Sequence, residues 1–418
     1  MNHFVALGVL FLSSLASAQV ISPLGQELEL SYTASFIPKD ETQDPKESAK
    51  THSDYLMGVL KSESLVEKLG VDFQKIEGLG APRLPLKITN VNAKTLPDGR
   101  TEISYNYRAK AIIHKTAAKK LLKKGSFELV LPYDIAKVYN KKCTDSHYTS
   151  FGDYWYFWDP YRAGCEKLLE EPATRNVEVT VRDLDYKRLE ETARFDLIRG
   201  DNGNGKLVQI DIITGFDESS KRGDVGWKIF KKLNEALESK FGFELSKKSG
   251  TPKNPLYLFE KTLDSGAQVL VRHLLVNTEI DSRSLAFAKF FKQSVEEADV
   301  IVYSGHSGLG GNLDIPSLEA KAGEYVFNPK KRQVFFFNSC SSYSYYLDTF
   351  RTEKTKARID ILTNVLAAYI DDESRDVLSL IESVLNDKNG APEWLDVLKK
   401  IEASIPENKS YLLNVGGV

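Results

Sequence analysis

The sequence predicts an α/β protein in which a mainly parallel sheet, flanked by helices, follows a β-rich N-terminal domain. Up to about residue 200, strand-like runs show alternating apolar and polar residues, as in RTEISYNYRAKAIIHK at 100–115. Beyond that point, apolar runs alternate with amphipathic helical patterns, which is typical of parallel strands joined by helices. The chain of 418 residues is also long enough for two domains.

The first 18 residues, MNHFVALGVLFLSSLASA, predict a signal peptide, because a short apolar run ends in Ala16-Ser17-Ala18. The run is too short to span a bilayer, and no later segment reaches about 18 unbroken apolar residues. We therefore expect an exported protein, periplasmic or secreted, whose mature chain begins at about Gln19 and has no transmembrane segment.

The charge balance and the histidine spacings indicate what the protein does not bind. The formal net charge of −2 gives no reason to expect nucleic acid or an anionic membrane as a partner. No histidines or cysteines have a zinc spacing, and RGDNGNGK at 199–206 has glycines where a calcium loop requires ligands. We expect no metal and no cofactor, and the sequence leaves the oligomeric state open.

The three cysteines are Cys143, Cys165 and Cys340, an odd number for an exported protein. Cys143 and Cys165 bracket an aromatic-rich loop, and a disulfide there would stabilise the chain by about 3 kcal/mol through loop closure. This pairing leaves Cys340 as the remaining thiol. The loop contains the cluster YWYFWDPY at 154–161, which either packs beneath its own loop or forms a binding surface.

Individual elements follow from the periodicity of apolar residues. In the N-terminal part, 19–200, Pro97-Asp98-Gly99 between alternating runs predicts a β-hairpin. In the C-terminal part, 201–418, strands are predicted for KLVQIDIITGF, AQVLVRHLLVNTEI, ADVIVYSGHS and QVFFFNSC, and helices at 225–241, 284–297, 373–386 and 393–403. The change of period near residue 200 places the domain boundary there.

Two reactive side chains follow predicted strands: His306 after VIVYSG and Cys340 after VFFFNS. Ligands and chemistry collect at the carboxyl ends of parallel strands, so both residues are expected at the same edge of the sheet. An imidazole beside a thiol can take its proton and stabilise the thiolate. Backbone N–H groups near Ser307, Gly308 and Cys340 are candidate oxyanion donors for acyl transfer.

An apolar strand followed by Gly305-His306-Ser307-Gly308, and another followed by Asn338-Ser339-Cys340, resembles the caspase-like cysteine peptidases, the group of gingipains, legumain, clostripain and separase. The resemblance covers roughly 205–418. It implies a caspase-like fold, His306 as the catalytic histidine, Cys340 as the nucleophile, and hydrolysis of a peptide or protein substrate through a thioester. The family usually has glycine directly after the histidine, where this chain has Ser307.

Other interpretations fit the same residues less well. Gly305-His306-Ser307-Gly308-Leu309 departs from the G-x-S-x-G elbow of serine hydrolases at its last position, and no histidine follows residue 306. His273 with His306 and Cys340 would be an unusual set of metal ligands. The main alternative is a catalytically inactive cell-envelope binding or structural protein on the same fold, which would use Trp155 or Trp158 of the aromatic loop.

Overall fold

The computed structural model describes residues 20–170, 173–184, 191–200, 205–217, 222–354, 359–369, 373–388, 390–405 and 409–417. The predicted signal peptide at 1–18 lies outside the described residues. None of the helices in these ranges is long and apolar enough to cross a membrane.

Strands and helices are numbered in chain order. The strands β1 to β15 are Val20–Ile21, Gly25–Phe36, Gly80–Pro82, Lys87–Thr95, Thr101–His114, Ser126–Pro132, Thr174–Asp183, Leu207–Gly215, Glu244–Gly250, Pro255–Thr262, Gln268–Val276, Val300–Ser304, Gln333–Asn338, Ile359–Thr363 and Asn414–Gly417. The helices α1 to α13 are Pro45–Ser53, Tyr55–Lys61, Glu63–Lys68, Lys115–Lys124, Ile135–Val138, Glu166–Glu170, Phe195–Arg199, Val225–Ser239, Leu285–Glu297, Ile315–Ala322, Ser342–Glu353, Glu373–Leu385 and Trp394–Glu402.

A nine-stranded sheet runs in the order β1-β15-β14-β13-β12-β8-β11-β10-β9. Its five central strands, β14, β13, β12, β8 and β11, are parallel. Antiparallel strands extend it at both ends. The predicted α/β architecture is therefore confirmed as a large mixed sheet with a parallel centre and helices packed against it.

The central strands of this sheet are buried on both faces, which explains their nearly continuous apolar runs. Alternate residues of β12 point to opposite faces: Val300 and Val302 belong to one core, and Ile301 and Tyr303 to the other. The first core is completed by α8, α12 and α13. The second is completed by α9 and α11 together with the N-terminal half of the chain.

The N-terminal half forms a second sheet in the order β3-β5-β2-β7-β6, with β4 paired to β5. The hairpin predicted at Pro97-Asp98-Gly99 is confirmed, because β4 and β5 pair antiparallel on either side of it. The two halves share one apolar core, and β1, which begins the described chain, pairs with β15 of the larger sheet. The boundary near residue 200 stays a prediction.

The hairpin formed by β9 and β10 and the helix α10 were not predicted from the sequence. Strand β9, ELSKKSG, is largely exposed at the edge of the sheet, so its sequence lacks the apolar signal of the central strands. Helix α10 is eight residues long and buries mainly Ile315 and Leu318, which is too little for a clear helical period.

Candidate active site

The loop carrying His306 lies directly against the end of β8. Strand β12 ends at Ser304, and the N–H of the next residue, Gly305, donates to the carbonyl oxygen of Asn338 at 3.3 Å. A Cβ atom on Gly305 would lie 3.3 Å from the Cα atom of Gly215 at the end of β8. Because Gly215 and Gly305 have no side chains, the ends of β8 and β12 can approach closely.

His306 is held by a carboxylate. Its Nε2 atom lies 2.9 Å from Oδ1 of Asp217, two residues beyond the end of β8. The two side chains are 37% and 28% exposed, so both reach the surface at the strand ends. With Nε2 bound to a carboxylate, the tautomer with its proton on Nε2 is favoured, and Nδ1 can accept a proton from a reacting group.

The backbone around Asp217 and His306 is fixed by hydrogen bonds. The N–H of Asp217 donates to Oδ1 of Asp224, which also caps helix α8 by accepting from the N–H of Gly226. The carbonyl oxygen of His306 accepts from the hydroxyl of Tyr303 at 2.5 Å and from the side-chain amide of Asn312 at 2.9 Å. The histidine is therefore oriented before any ligand binds.

Cys340 lies two residues beyond the end of β13, the neighbour of β12 on the side away from β8. The side chain of Asn338 fixes this strand end, because it donates to Asp376 at 2.7 Å and accepts from Asn364 at 2.9 Å. Cys340 is half-buried, and its Sγ lies 3.6 Å from the carbonyl oxygen of Ala368.

The residue after Cys340 has an unusual backbone conformation. Ser341 has φ 49° and ψ 30°, in the left-handed region that non-glycine residues rarely adopt. Its N–H donates to the carbonyl oxygen of Leu366 at 3.0 Å, which holds the turn in place. Strain of this kind concentrates at functional sites, where the surrounding structure maintains it.

The N-terminal half forms one wall beside Cys340. The side chains of Tyr154, Tyr156 and Trp158 are fully buried, so the cluster at 154–161 mainly packs beneath its own loop. The hydroxyl of Tyr156 lies 2.9 Å from Oγ of Ser341, the residue that follows the thiol. Cys143 and Cys165 form a disulfide that closes this aromatic loop, with Cα atoms 5.6 Å apart.

The structure assigns places to the remaining predicted site residues. Ser307 and Gly308 follow β12 and Cys340 follows the neighbouring β13, so the three candidate oxyanion donors lie at one edge of the sheet. Their role as donors stays a prediction. His273 is fully buried, where Thr214 and Asn234 bind its two ring nitrogens. Among the described residues, no cluster of side chains could hold a metal ion.

Two residues of this site were not predicted. Asp217 had a usable signal, because it directly follows the predicted strand KLVQIDIITGF. Lys61, the last residue of α2, reaches the same turn, with Nζ 3.2 Å from Oγ of Ser341. It had no signal, since it is separated from Ser341 by 280 positions in the chain.

No known protein family matches this sequence, and no curated protein does. Among solved structures, the chain is similar to a secreted C11 cysteine protease from Bacteroides thetaiotaomicron, determined in complex with an irreversible peptide inhibitor. The match has 14% sequence identity and a TM-score of 0.25, and it covers 48% of this chain and 57% of that protease.

Proposed function

We propose that the protein is an exported cysteine peptidase on a caspase-like fold, which hydrolyses a peptide bond through a thioester on Cys340. One observation carries this proposal. Asp217, His306 and Cys340 each stand two residues beyond the ends of three adjacent parallel strands, β8, β12 and β13. A carboxylate, an imidazole and a thiol therefore occur in that order along one edge of the sheet. This is the edge where α/β proteins bind ligands.

Each residue has a defined role in the proposed reaction. His306 accepts the proton of the Cys340 thiol, and the thiolate attacks the carbonyl carbon of the substrate. Backbone N–H groups of Ser307, Gly308 or Cys340 stabilise the oxyanion, and His306 returns the proton to the leaving amine. Water, deprotonated by His306, then hydrolyses the thioester. Asp217 keeps the imidazole in the required tautomer and stabilises the imidazolium form.

Export belongs to the same proposal. It is supported by the signal-like pattern at 1–18 and by the disulfide between Cys143 and Cys165, since disulfides persist in oxidising compartments. We expect the mature chain to begin at about Gln19. Mass measurement of the protein recovered from the periplasm or the medium tests this, and an intact residue 1 would contradict it.

The activity test uses a diverse peptide mixture, with cleavage read by mass spectrometry. We expect cleavage by the wild-type chain, none by Cys340→Ala, and at least about a hundredfold less by His306→Ala. His147→Ala is the matched control, because this histidine is exposed and lies in the aromatic loop. Its activity should be unchanged.

Alkylation by iodoacetamide tests the coupling of the two residues without a substrate. Cys340 should react quickly in the wild-type chain and more slowly in His306→Ala. Equal rates would contradict a coupled pair. If no peptide is cleaved and the rates are equal, the inactive binding protein becomes the better interpretation, and Trp155→Ala should then impair function while Cys340→Ala does not.

A further inference from the structure

Lys61 is a buried cation beside the candidate nucleophile, and it comes from the N-terminal half of the chain. The residue is only 4% exposed. Its Nζ atom donates to Oγ of Ser341 and lies 3.3 Å from the ring centroid of Tyr156 and 4.8 Å from that of Phe157. Ring faces and a hydroxyl stabilise an ammonium only in part, and a buried charge is costly unless an anion balances it.

The fold fixes Lys61 in this position. Helix α2 packs so closely on the aromatic loop that a Cβ atom on Gly58 would lie 2.3 Å from the carbonyl oxygen of Trp155. A Cβ atom on Gly78 would lie 2.8 Å from the side chain of Leu366 and 3.4 Å from the Cα atom of Lys61. The end of α2 is thus packed between the aromatic loop of the N-terminal half and the loop that follows β14. Lys61 therefore has little freedom to move.

Carboxylates do not supply the balancing charge. Across the described ranges, Lys61 forms no ion pair, and its hydrogen-bond acceptor is the neutral Oγ of Ser341. Burial lowers the pKa of the Lys61 ammonium to about 7, while the negative charge of a Cys340 thiolate acts to raise it. Cys340 is therefore the charged group that acts on the pKa of Lys61.

We propose that Lys61 is a positioning residue whose ammonium serves as the counter-ion of the Cys340 thiolate, so that the N-terminal half helps to generate the nucleophile. The proposal depends on the proposed role of Cys340 as a nucleophile. The Ala368 carbonyl oxygen, 3.6 Å from Sγ, accepts a hydrogen bond from the protonated thiol and so favours the unreactive form. The ammonium of Lys61, bound to the neighbouring Ser341, offsets this preference when the thiol proton passes to His306 or to water.

Three phenols in the described part of the chain also respond to the charge of Cys340. Tyr148 and Tyr156 belong to the aromatic loop, and Tyr345 belongs to α11. Burial raises the pKa of all three, and the charge of Cys340 raises it further. All three therefore remain neutral between pH 5 and about 9. Asp54, which acts on Tyr345 and whose pKa burial raises to about 7, is a further group that changes its charge in this range.

The test is the pH dependence of iodoacetamide alkylation of Cys340 in the full-length chain, compared with Lys61→Met, Lys61→Arg and Lys68→Met. Methionine keeps most of the apolar stem but removes the charge, and the exposed Lys68 on α3 is the matched control. We expect Lys61→Met to move the midpoint of alkylation to higher pH by about one unit, which slows the reaction about tenfold below the midpoint. Lys61→Arg should restore part of the shift, and Lys68→Met should leave the midpoint unchanged.

The Lys61→Met effect should persist in a His306→Ala background, because the cation acts on the thiol directly. An unchanged midpoint in a folded Lys61→Met chain would overturn the proposal, even if peptide cleavage depends on Cys340 and His306. Conversely, a shifted midpoint in a chain that cleaves no peptide would keep the ion pair and reject the peptidase function. The two failures are therefore distinguishable.

The reverse measurement on the wild-type chain covers the case in which Lys61→Met does not fold. Coupling between two titrating groups is reciprocal. Blocking Cys340 with iodoacetamide removes the thiolate charge, so the pKa of one lysine should fall. Side-chain amine signals of chain labelled with ¹⁵N-lysine report this by NMR. If no lysine signal changes its titration after blocking, Lys61 and Cys340 are not coupled.

Discussion

The two sides of the candidate site are built from different parts of the chain. On the histidine side, His306 is fixed by partners on the same sheet and its loops, such as Asp217 and Asn312. On the thiol side, the turn at Cys340 contacts Lys61 and Tyr156 from the N-terminal half. The histidine side is thus built within the larger sheet and its loops, whereas the thiol side also has partners from the N-terminal half.

This difference indicates that the N-terminal half is part of the site and does more than cover it. Helix α11 begins two residues after Cys340, and Arg83 of the N-terminal half binds it through Asp348. The same arginine pairs with the buried Glu27, which accepts a hydrogen bond from Tyr343 of α11 at 2.6 Å. Damage at the interface between the two halves should therefore affect the thiol side most and the histidine side least.

The largest effect is expected from Arg83→Met, which removes the cation from this network. Arg83 is 3% exposed and makes a bidentate contact with Asp348 at 2.7 and 2.6 Å. Removing this partner from the buried Glu27 carboxylate should lower the free energy of unfolding by about 3–5 kcal/mol, as measured by urea denaturation, whereas Asp348 is 21% exposed and keeps its ion pair with Arg351.

The matched control for that variant is Arg108→Met, because Arg108 also pairs with a glutamate of β2, Glu29, but is 57% exposed. A surface pair contributes about 0–1 kcal/mol. Equal losses in the two variants would show that the interface network has no special role in holding the two halves together.

Removal of the disulfide should have the next largest effect. The Cys143→Ser, Cys165→Ser double variant opens a loop with a sequence separation of 22 residues, which costs about 3 kcal/mol in the loop-entropy account. Because this loop carries Tyr156 to the thiol side, alkylation of Cys340 should also change its pH midpoint. A loss of stability with an unchanged midpoint would mean that the aromatic loop does not support the thiol.

Asp217→Asn tests the histidine side alone. Asparagine fits the space but can donate to Nε2 of His306, which moves the imidazole proton to Nδ1 and prevents that atom from accepting the thiol proton. We expect kcat to fall about a hundredfold, or about 2.7 kcal/mol, with little loss of stability. The control is Asp281→Asn, an exposed aspartate in the loop after β11. Wild-type kcat in Asp217→Asn would remove this residue from the mechanism.

The sequence was sufficient to predict the parts of the site that a single strand pattern encodes. His306 and Cys340 follow apolar strands of the parallel centre, so their placement at strand ends followed from the periodicity. Asp217 also follows a strand of the parallel centre, so it could have been predicted in the same way. Lys61 and Arg83 could not be predicted in this way. A basic residue at the end of a short helix or strand gives no indication of which distant turn or helix it will contact. Long-range packing, and not local pattern, positions such residues.

The smallest effect on the site is expected from a buried acid that belongs to neither side of it. Glu402 of α13 accepts from the N–H of Leu413 at 2.7 Å, and burial raises the pKa of its carboxyl from 4.5 to about 7.

Between these pH values the unfolded chain ionises this group while the folded chain keeps its proton, so stability falls as pH rises through the window and then becomes constant. Glu402→Gln removes this dependence, and the difference in unfolding free energy between the two chains should change by about 3 kcal/mol from pH 4 to pH 8. The alkylation midpoint of Cys340 should be the same in both chains. A shifted midpoint would show that pH acts on the site through the stability of the whole sheet, and the contrast between its two sides would then lose its basis.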